Sequence, residues 1–456
     1  MGIFHNAVKT SHSKGLATEW NDDHKVEGNL DFRHYAAVNM VVENRTDWPA
    51  GPAEGRVIYR TDQHSFYVWN GTIWVSMTGP ATVVVAIDGS GDTTDIQEGI
   101  DMLPAEGGVV YIKEGTYTLL ASLEITTNNV SLIGAGKCTI ITTLLAIDIL
   151  SISSASNFYI SQIQFDGNDW ATNCIHLETA TQGSISQCLF SDAVDNEIWL
   201  DDDCDYNLIE NNHIGHGADY GILGTTSIHC VIDGNWFGGA DLETIHLGLC
   251  QNSIISDNTF WGVAESKSIY IDDGKGTQIT GNTMTSVELG IEVYDSYHIS
   301  ISANTMISNL ATKGIYIREC EKISIMGNTI QAPGAEGIYL LDSKYSTITG
   351  NTISDAWNEA VKIESCSHIA ISGESHENCG VNGTADTALT DDGANWTTRC
   401  SVTGCNIFGV GATYDWAIEE NNANDDYNNI IANSIIAGTT GQTRIQGANT
   451  EEGHNI

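Results

Sequence analysis

A six-residue phrase, Ile-x-Gly-Asn-Thr-Ile or Met, returns through the middle of the chain at Ile279 to Met284, Ile325 to Ile330 and Ile348 to Ile353. Looser copies run from Ile232 to Phe237, Ile255 to Phe260 and Ile301 to Met306. Their asparagines, Asn212, Asn235, Asn258, Asn282, Asn304, Asn328 and Asn351, recur at roughly 22 to 24 residues, the kind of fixed period that marks a solenoid. Each repeat carries a second alternating run, as in Ser268 to Ile271, Gly290 to Val293, Gly314 to Ile317 and Gly337 to Leu340. Alternation buries one face of a short strand and leaves the other in solvent. Strands this short cannot bury their own inward side chains, but stacked coils bury one another. The period therefore predicts an all-β chain built as a parallel β-helix. The recurrent Asn is expected at a turn, where it tolerates a left-handed backbone and bonds its equivalents in neighbouring coils.

Weaker copies at Ile160 to Phe165, Ile185 to Phe190, Val402 to Phe408 and Ile431 to Ile436 extend the pattern to about a dozen coils over residues 126–456. Upstream the chain changes character. Residues 1–47 have weak periodicity and read as an attachment or oligomerisation segment. Residues 48–80 read as a small β-meander, with Asn70-Gly71 as a hairpin turn and Trp48, Trp69 and Trp74 as its core. Residues 81–125 lead into the solenoid, where Thr94 and Gln97 have capping-box spacing for a helix that covers the first coil's open edge.

Composition narrows the setting. Eighteen basic against fifty-nine acidic residues give a net charge of -41, with no basic patch to replace phosphate counterions, which argues against a nucleic-acid partner. No apolar stretch reaches membrane-spanning length, and Met1 to Thr10 lacks the apolar core of a secretory signal. Eleven cysteines are spread through the repeats rather than clustered. Cys250, Cys320 and Cys366 share a register with Ser296 and Ser343, as an internal ladder of small side chains would, and Cys379, Cys400 and Cys405 are spaced to allow one bridge.

The order Ala86-Ile87-Asp88-Gly89, Asp92 to Gln97, Gly107 to Ile112, Gly115-Thr116-Tyr117 and Leu132 to Gly136 resembles the opening of pectate-lyase-superfamily β-helices, which are right-handed. With the short N-terminal module and the capped solenoid, the chain also resembles phage tailspikes. That resemblance implies a homotrimer, virion or extracellular in location, that binds and often cleaves cell-surface polysaccharide, with its N-terminus on other tail components. Fold alone assigns no reaction, since β-helices host lyases, hydrolases, epimerases and inert adhesins.

Aligning the second strands stacks His176, Trp199, Leu223, His246, Tyr270, Glu292, Tyr316, Tyr339 and Lys362 in one outward column. Aromatic rings spaced in this way suit successive sugar rings, while exposed sheet positions favour Tyr for packing alone and a trimer contact would also use such a face. Beside the column lie Asp201, Asp202, Asp272, Asp273, Asp295, Glu319 and Asp342, with Arg318 and Glu364. Equivalent residues in adjacent coils lie about 5 Å apart and those two coils apart about 10 Å. These values bracket the carboxylate spacings of retaining and inverting glycosidases, about 5.5 Å and 6.5 to 9.5 Å. Stacked acids repel, which raises one pKa as a general acid requires.

The sequence thus nominates Asp272, Asp273, Glu292 and Asp295 as an acid/base set, with His246, Tyr270, Tyr316, Tyr339, Arg318, Lys362 and Trp199 holding sugar. Calcium on the same oxygens, or an acidic solvated ladder with no ligand, are the competing readings; no cofactor is required by the first. Arg318 and Lys362 are the basic residues this alignment places in the column, so carboxylate hydrolysis is favoured over β-elimination from a uronate. A non-catalytic receptor-binding or structural virion protein, and a free secreted lyase or hydrolase, stand as alternatives.

Overall fold

A computed structural model describes residues 42–453 except 53, 62–64, 70, 77–81, 216, 263–266, 308–311, 383, 391–395, 409–415, 421–426, 437–440 and 447–449. The attachment segment expected over residues 1–47 lies outside the described residues up to 41, as does Asn70 of the expected hairpin turn. Two compact units are present, Met1–Met77 and Thr78–Ile456.

In the first unit, Glu43–Arg45, Val57–Arg60, Ser65–Trp69 and Trp74–Ser76 form one sheet. The last three strands pair antiparallel in sequence order, as a meander does, while Glu43–Arg45 adds in parallel to Val57–Arg60. Trp48 stacks on Trp74 at 5.7 Å and meets Tyr67 edge-on at 5.0 Å, and Trp69 lies 5.6 Å from Trp74. The Arg60 guanidinium covers Trp48 at 4.2 Å. The three tryptophans therefore supply the apolar contacts that so short a sheet needs.

The second unit is a parallel β-solenoid of about 14 turns. Its described strands form three parallel sheets. Sheet I has sixteen strands, from Thr82–Val85 to Glu451–Gly453. Sheet II has fourteen, from Gly115–Leu119 to Ser434–Ile436, and sheet III fourteen, from Leu123–Ile125 to Gly441–Arg444. The first coil thus forms from Gly108–Ile112, Gly115–Leu119 and Leu123–Ile125, ahead of the boundary at 126 that the repeats mark, because these strands pair normally although their sequence lacks the Asn phrase. The cap is a single short helix, Ile96–Asp101. Its N-cap is Asp95, whose side chain accepts from Glu98 N, so the expected box is displaced by one residue. Gln97 is thereby released to bond Glu124 in the first coil through both its amide groups.

Inside the coils, like residues stack on like. Phe165 lies on Phe190 at 5.3 Å and 5°, and Phe237 on Phe260 at 4.9 Å and 9°. Between sheets I and II runs the asparagine ladder. Asn282 is fully buried; its Nδ2 donates to Asn304 Oδ1 (2.9 Å) and to the Ile255 carbonyl (2.9 Å), and its N donates to Asn304 Oδ1 (3.0 Å). Its own Oδ1 accepts the same pair from Asn258. The recurrent Asn does not adopt the left-handed backbone. That conformation falls on the residue before it, Gly281 (φ 71°), Asp257 (φ 52°) or Ala303 (φ 55°), which turns the chain so that the amide can point inward along the stack. At Gly281 a Cβ would lie 2.2 Å from Asp257 Oδ1, so a larger residue there would have to displace that side chain.

All eleven cysteines are free thiols. Cys320 and Cys366 alternate with Ser296 and Ser343 in a second internal ladder, bonded through Ser296 N to Cys320 Sγ and Ser343 N to Cys366 Sγ. Cys379, Cys400 and Cys405 form no bridge; each thiol donates to a backbone carbonyl of its own turn, which their packing into successive coils favours over pairing.

Two positions break the ladders together. Glu374 replaces the next Asn and accepts from Asn351 N at 3.0 Å. His376 replaces an inward aliphatic between Ile353 and Ile407. It is 1% exposed, with Nδ1 2.6 Å from Asp386 Oδ1 and Nε2 3.9 Å from Glu374 Oε2. Burial opposes its charge, but Asp386 and then Glu374 outweigh this and push the imidazole up to about 9. A raised histidine stabilises the fold fully below its ordinary value near 6.5 and loses that contribution as pH rises through about 9. Chemical denaturation across pH 6 to 9.5 should therefore show stability falling in the native chain and a flatter profile in His376→Ile. Asn282→Ala, which strands Asn258 N and the Ile255 carbonyl, should lower stability by about 2–4 kcal/mol, read from the urea midpoint.

Candidate functional site

The outer face of sheet III carries the column of aromatic and charged side chains read from the sequence. Its strands pair in a register that sets His176, Trp199, Leu223, His246, Tyr270, Glu292, Tyr316, Tyr339 and Lys362 beside one another in successive coils. The column divides in two. His176 stacks on Trp199 at 4.2 Å and 8°, and its Nδ1 lies 3.0 Å from Asp148 Oδ2, with Asp201 at 3.6 Å from Nε2. Burial disfavours the charged ring, but Asp148 and Asp201 outweigh it and raise the His176 pKa. Leu223 then separates this pair from a second cluster running from His246 to Lys362.

Glu292 is the centre of that second cluster and only 5% exposed. Arg318 Nε donates to its Oε1 at 2.9 Å, and Lys267 Nζ lies 3.1 Å from its Oε2. Lys267 also reaches Glu243 at 3.1 Å and covers the Tyr270 ring at 4.0 Å, while the Arg318 guanidinium covers Tyr294 at 3.9 Å. Both Glu292 oxygens are engaged by cations, Oε1 by Arg318 and Oε2 by Lys267. His246 sits 4.8 Å from the Tyr270 ring. Burial lowers the His246 pKa, with Glu243 and Asp272 opposing, so the ring is neutral at neutral pH. Burial, then Asp272, raises the Tyr270 hydroxyl.

Further along, Tyr316 stacks on Tyr339 at 5.1 Å and 21°, with Lys313 5.1 Å from the first ring and Lys362 4.8 Å from the second. Tyr339 donates to Glu364 Oε2 at 2.5 Å, and Lys362 pairs with the same oxygen at 2.8 Å. Burial, then Glu364, raises the Tyr339 hydroxyl well above its ordinary value.

The carboxylates nominated from sequence fall in different places. Asp272 ends its strand beside Tyr294 in register, and its Oδ1 is buried without a hydrogen-bond partner. Asp273 and Asp295 lie one residue beyond, in left-handed turns (φ 52° and 42°) stacked at the same corner. Slight burial, then Asp295 and Asp272, raises the Asp273 pKa. Trp199 belongs to the other cluster.

Lys267 and Lys313 are additions that strict alternation misses. Each stands three residues before its tyrosine, a spacing that alternation sends to the opposite face. Ser268 and Ile269 both turn inward, which resets the parity and brings Lys267 out beside Tyr270. The phrase Lys-x-Ile-Tyr, at Lys267 to Tyr270 and Lys313 to Tyr316, is the signal that could have found them.

Residues 108–266 and 261–456 match the family described as periplasmic copper-binding protein (NosD). The chain belongs to the NosD family. Residues 38–95 separately match a phage tail like trimerisation region. The search of curated proteins returned no match. Among solved structures, this NosD-family chain is similar to the pre-mature gene product 12 of bacteriophage phi29, at 12% identity over 76% of this chain and 64% of that one, TM-score 0.51. It is also similar to tailspike protein 3 of bacteriophage CBA120 (12% identity, 84% and 62% coverage, TM-score 0.46). The A-module of Azotobacter vinelandii mannuronan C-5 epimerase AlgE6 is a third (17% identity, 79% and 94% coverage, TM-score 0.44). The first of these likenesses shows the solenoid fold alone.

Among the described residues the copper in the family's description finds no fitting donor set. Among the described residues no three His, Cys, Asp or Glu side chains converge to hold a metal. The buried thiols face backbone carbonyls, and burial raises Cys204, Cys230 and Cys320 to about 12, away from the thiolate that a metal needs. The pairing of Glu292 with its two cations is the feature to test first. Glu292→Gln leaves one cation unpaired and should lower stability by about 1–2 kcal/mol, given that Lys267 and Arg318 are partly solvated, as read from a denaturation midpoint.

Proposed function

We propose that this protein is a tailspike-like component, virion-borne or extracellular, that binds a cell-surface or extracellular polysaccharide along the outer face of sheet III and cleaves it. The observation that carries the reading is the run from His246 to Lys362, where aromatic rings alternate with charged groups at the spacing of successive coils. Rings bind sugar faces, and the flanking charges and hydroxyls bond their oxygens.

For cleavage we favour hydrolysis. Asp273 is the general acid, its proton retained at higher pH by slight burial and then by Asp295 and Asp272, and one of those two carboxylates serves as its partner. Glu292, first nominated with them, positions Lys267 and Arg318 instead. One observation favours a second reaction. Lys267 covers Tyr270, and Arg318 is held on Glu292 in the next coil, so two cations that would neutralise a uronate carboxylate stand in the column of a phenolic base, as β-elimination requires. The match to a trimerisation region supports a homotrimer joined to other tail components through the N-terminal unit. Among the described residues no helix is long and apolar enough to cross a membrane.

Product analysis on a panel of bacterial and plant polysaccharides, with and without Ca²⁺, separates the readings. New reducing ends without unsaturated-uronate absorbance, lost by about 100-fold or more in Asp273→Asn and retained in Tyr270→Phe, are the expected result. Unsaturated ends lost in Tyr270→Phe would establish elimination, and retention of glycan without turnover would leave an adhesin. Light scattering should give three times the 49.1 kDa chain mass.

A further inference from the structure

Away from sheet III, a cleft of about 380 Å³ opens along the corner between sheets I and II. One wall is the first outward position of sheet II, where His213 stacks on Trp236 at 4.1 Å and 17°. The other is the corner column Gln187, Asn211 and Gly234, each the residue that precedes a strand of sheet II by two. Gly234, with φ 63°, has no side chain to cover Asn211; a Cβ there would lie 3.1 Å from Asn211 Oδ1. Lys137, exposed on the 3-10 turn Gly136–Cys138, closes the N-terminal end.

The chemistry of the lining is one-sided. In a chain with fifty-nine acidic residues, no Asp or Glu lines this cleft. Lys137 has no carboxylate within ion-pair distance among the described residues, unlike Lys267, Lys313 and Lys362. Gln187 Oε1 already accepts from Gln162 Nε2 at 3.2 Å, which leaves its Nε2 donors for a ligand. Burial, then Lys137, lowers the His213 pKa, so that ring is neutral at neutral pH and offers one N–H beside the indole N–H of Trp236. The cleft therefore presents an ammonium, amide donors and two ring N–H groups against an aromatic wall, in a volume that suits one or two sugar rings.

We infer that this cleft is a second glycan site, which binds an acidic sugar unit with its carboxylate on Lys137 and its ring against His213 and Trp236. The inference is independent of the reading of sheet III. It places a carboxylated saccharide on a different face from the aromatic column, so one glycan chain or two neighbouring chains could be held at both.

The test is calorimetric titration of the full chain with a hexuronic-acid disaccharide and with its neutral hexose counterpart. The acidic disaccharide should bind, and Lys137→Gln and Trp236→Leu should each weaken it about tenfold. Lys137 is exposed, so its variant tests binding without disturbing the core. Equal binding of the neutral disaccharide, unaltered binding in both cleft variants, or no binding to the native chain would each overturn the inference. Failure of cleavage on sheet III would leave the titration result unaffected.

Discussion

Register between coils is the constraint on which everything else in the solenoid rests, and the buried amide ladder is what fixes it. Each ladder Asn answers a backbone N–H and an amide of the coil before it and donates to the coil after it, so a slip by one residue strands several buried polar groups at once. Stacked aliphatic and aromatic side chains supply most of the apolar burial, but they are tolerant of exchange: Phe, Met and Ile succeed one another in sheet II. Directional bonds are less forgiving. That difference explains why the Asn recurs more strictly than its apolar neighbours, and why the place where Glu374 replaces it also holds a charged histidine.

The same register makes the outer faces into columns. A side chain on sheet III has neighbours above and below as well as along its own strand, so charge pairs there run between coils, with Lys362 and Glu364 paired inside one strand. Arg318 reaches back to Glu292, Lys267 spans Glu243 and Glu292, and Tyr339 meets Glu364. In a chain of net charge -41 this matters, because the cations are gathered where carboxylates and aromatic rings already stand. The acidic character that argues against polyanions for the molecule as a whole does not hold locally.

How much of this could be read from the sequence follows from what each pattern encodes. The Asn period and the alternation of Ile269-Tyr270-Ile271 encode the coil and the outward column directly, since both are periodic consequences of the backbone. Lys267 was hidden because two inward residues in succession, Ser268 and Ile269, reset the parity, a break that strict alternation does not register and that only the repeated phrase Lys-x-Ile-Tyr marks. The left-handed residue was displaced by one, from Asn282 to Gly281, because the side-chain bonds of Asn outweigh its tolerance for that conformation. The cleft at Lys137 was invisible, since it joins residues 137, 187, 213 and 236, which lie in different coils and share no motif.

The reset at Ser268 and Ile269 sits inside one rung and recurs in its neighbours, so the solenoid behaves as a ruler graduated in whole repeats. Removing or adding one complete repeat between Trp199 and His246 would change the gap between the two clusters of sheet III by a single graduation, about 4.8 Å, and leave each cluster intact. A single-residue insertion would instead scramble every column beyond it. The distance between the two clusters is thus a heritable length that can change only in steps, set by counting rungs.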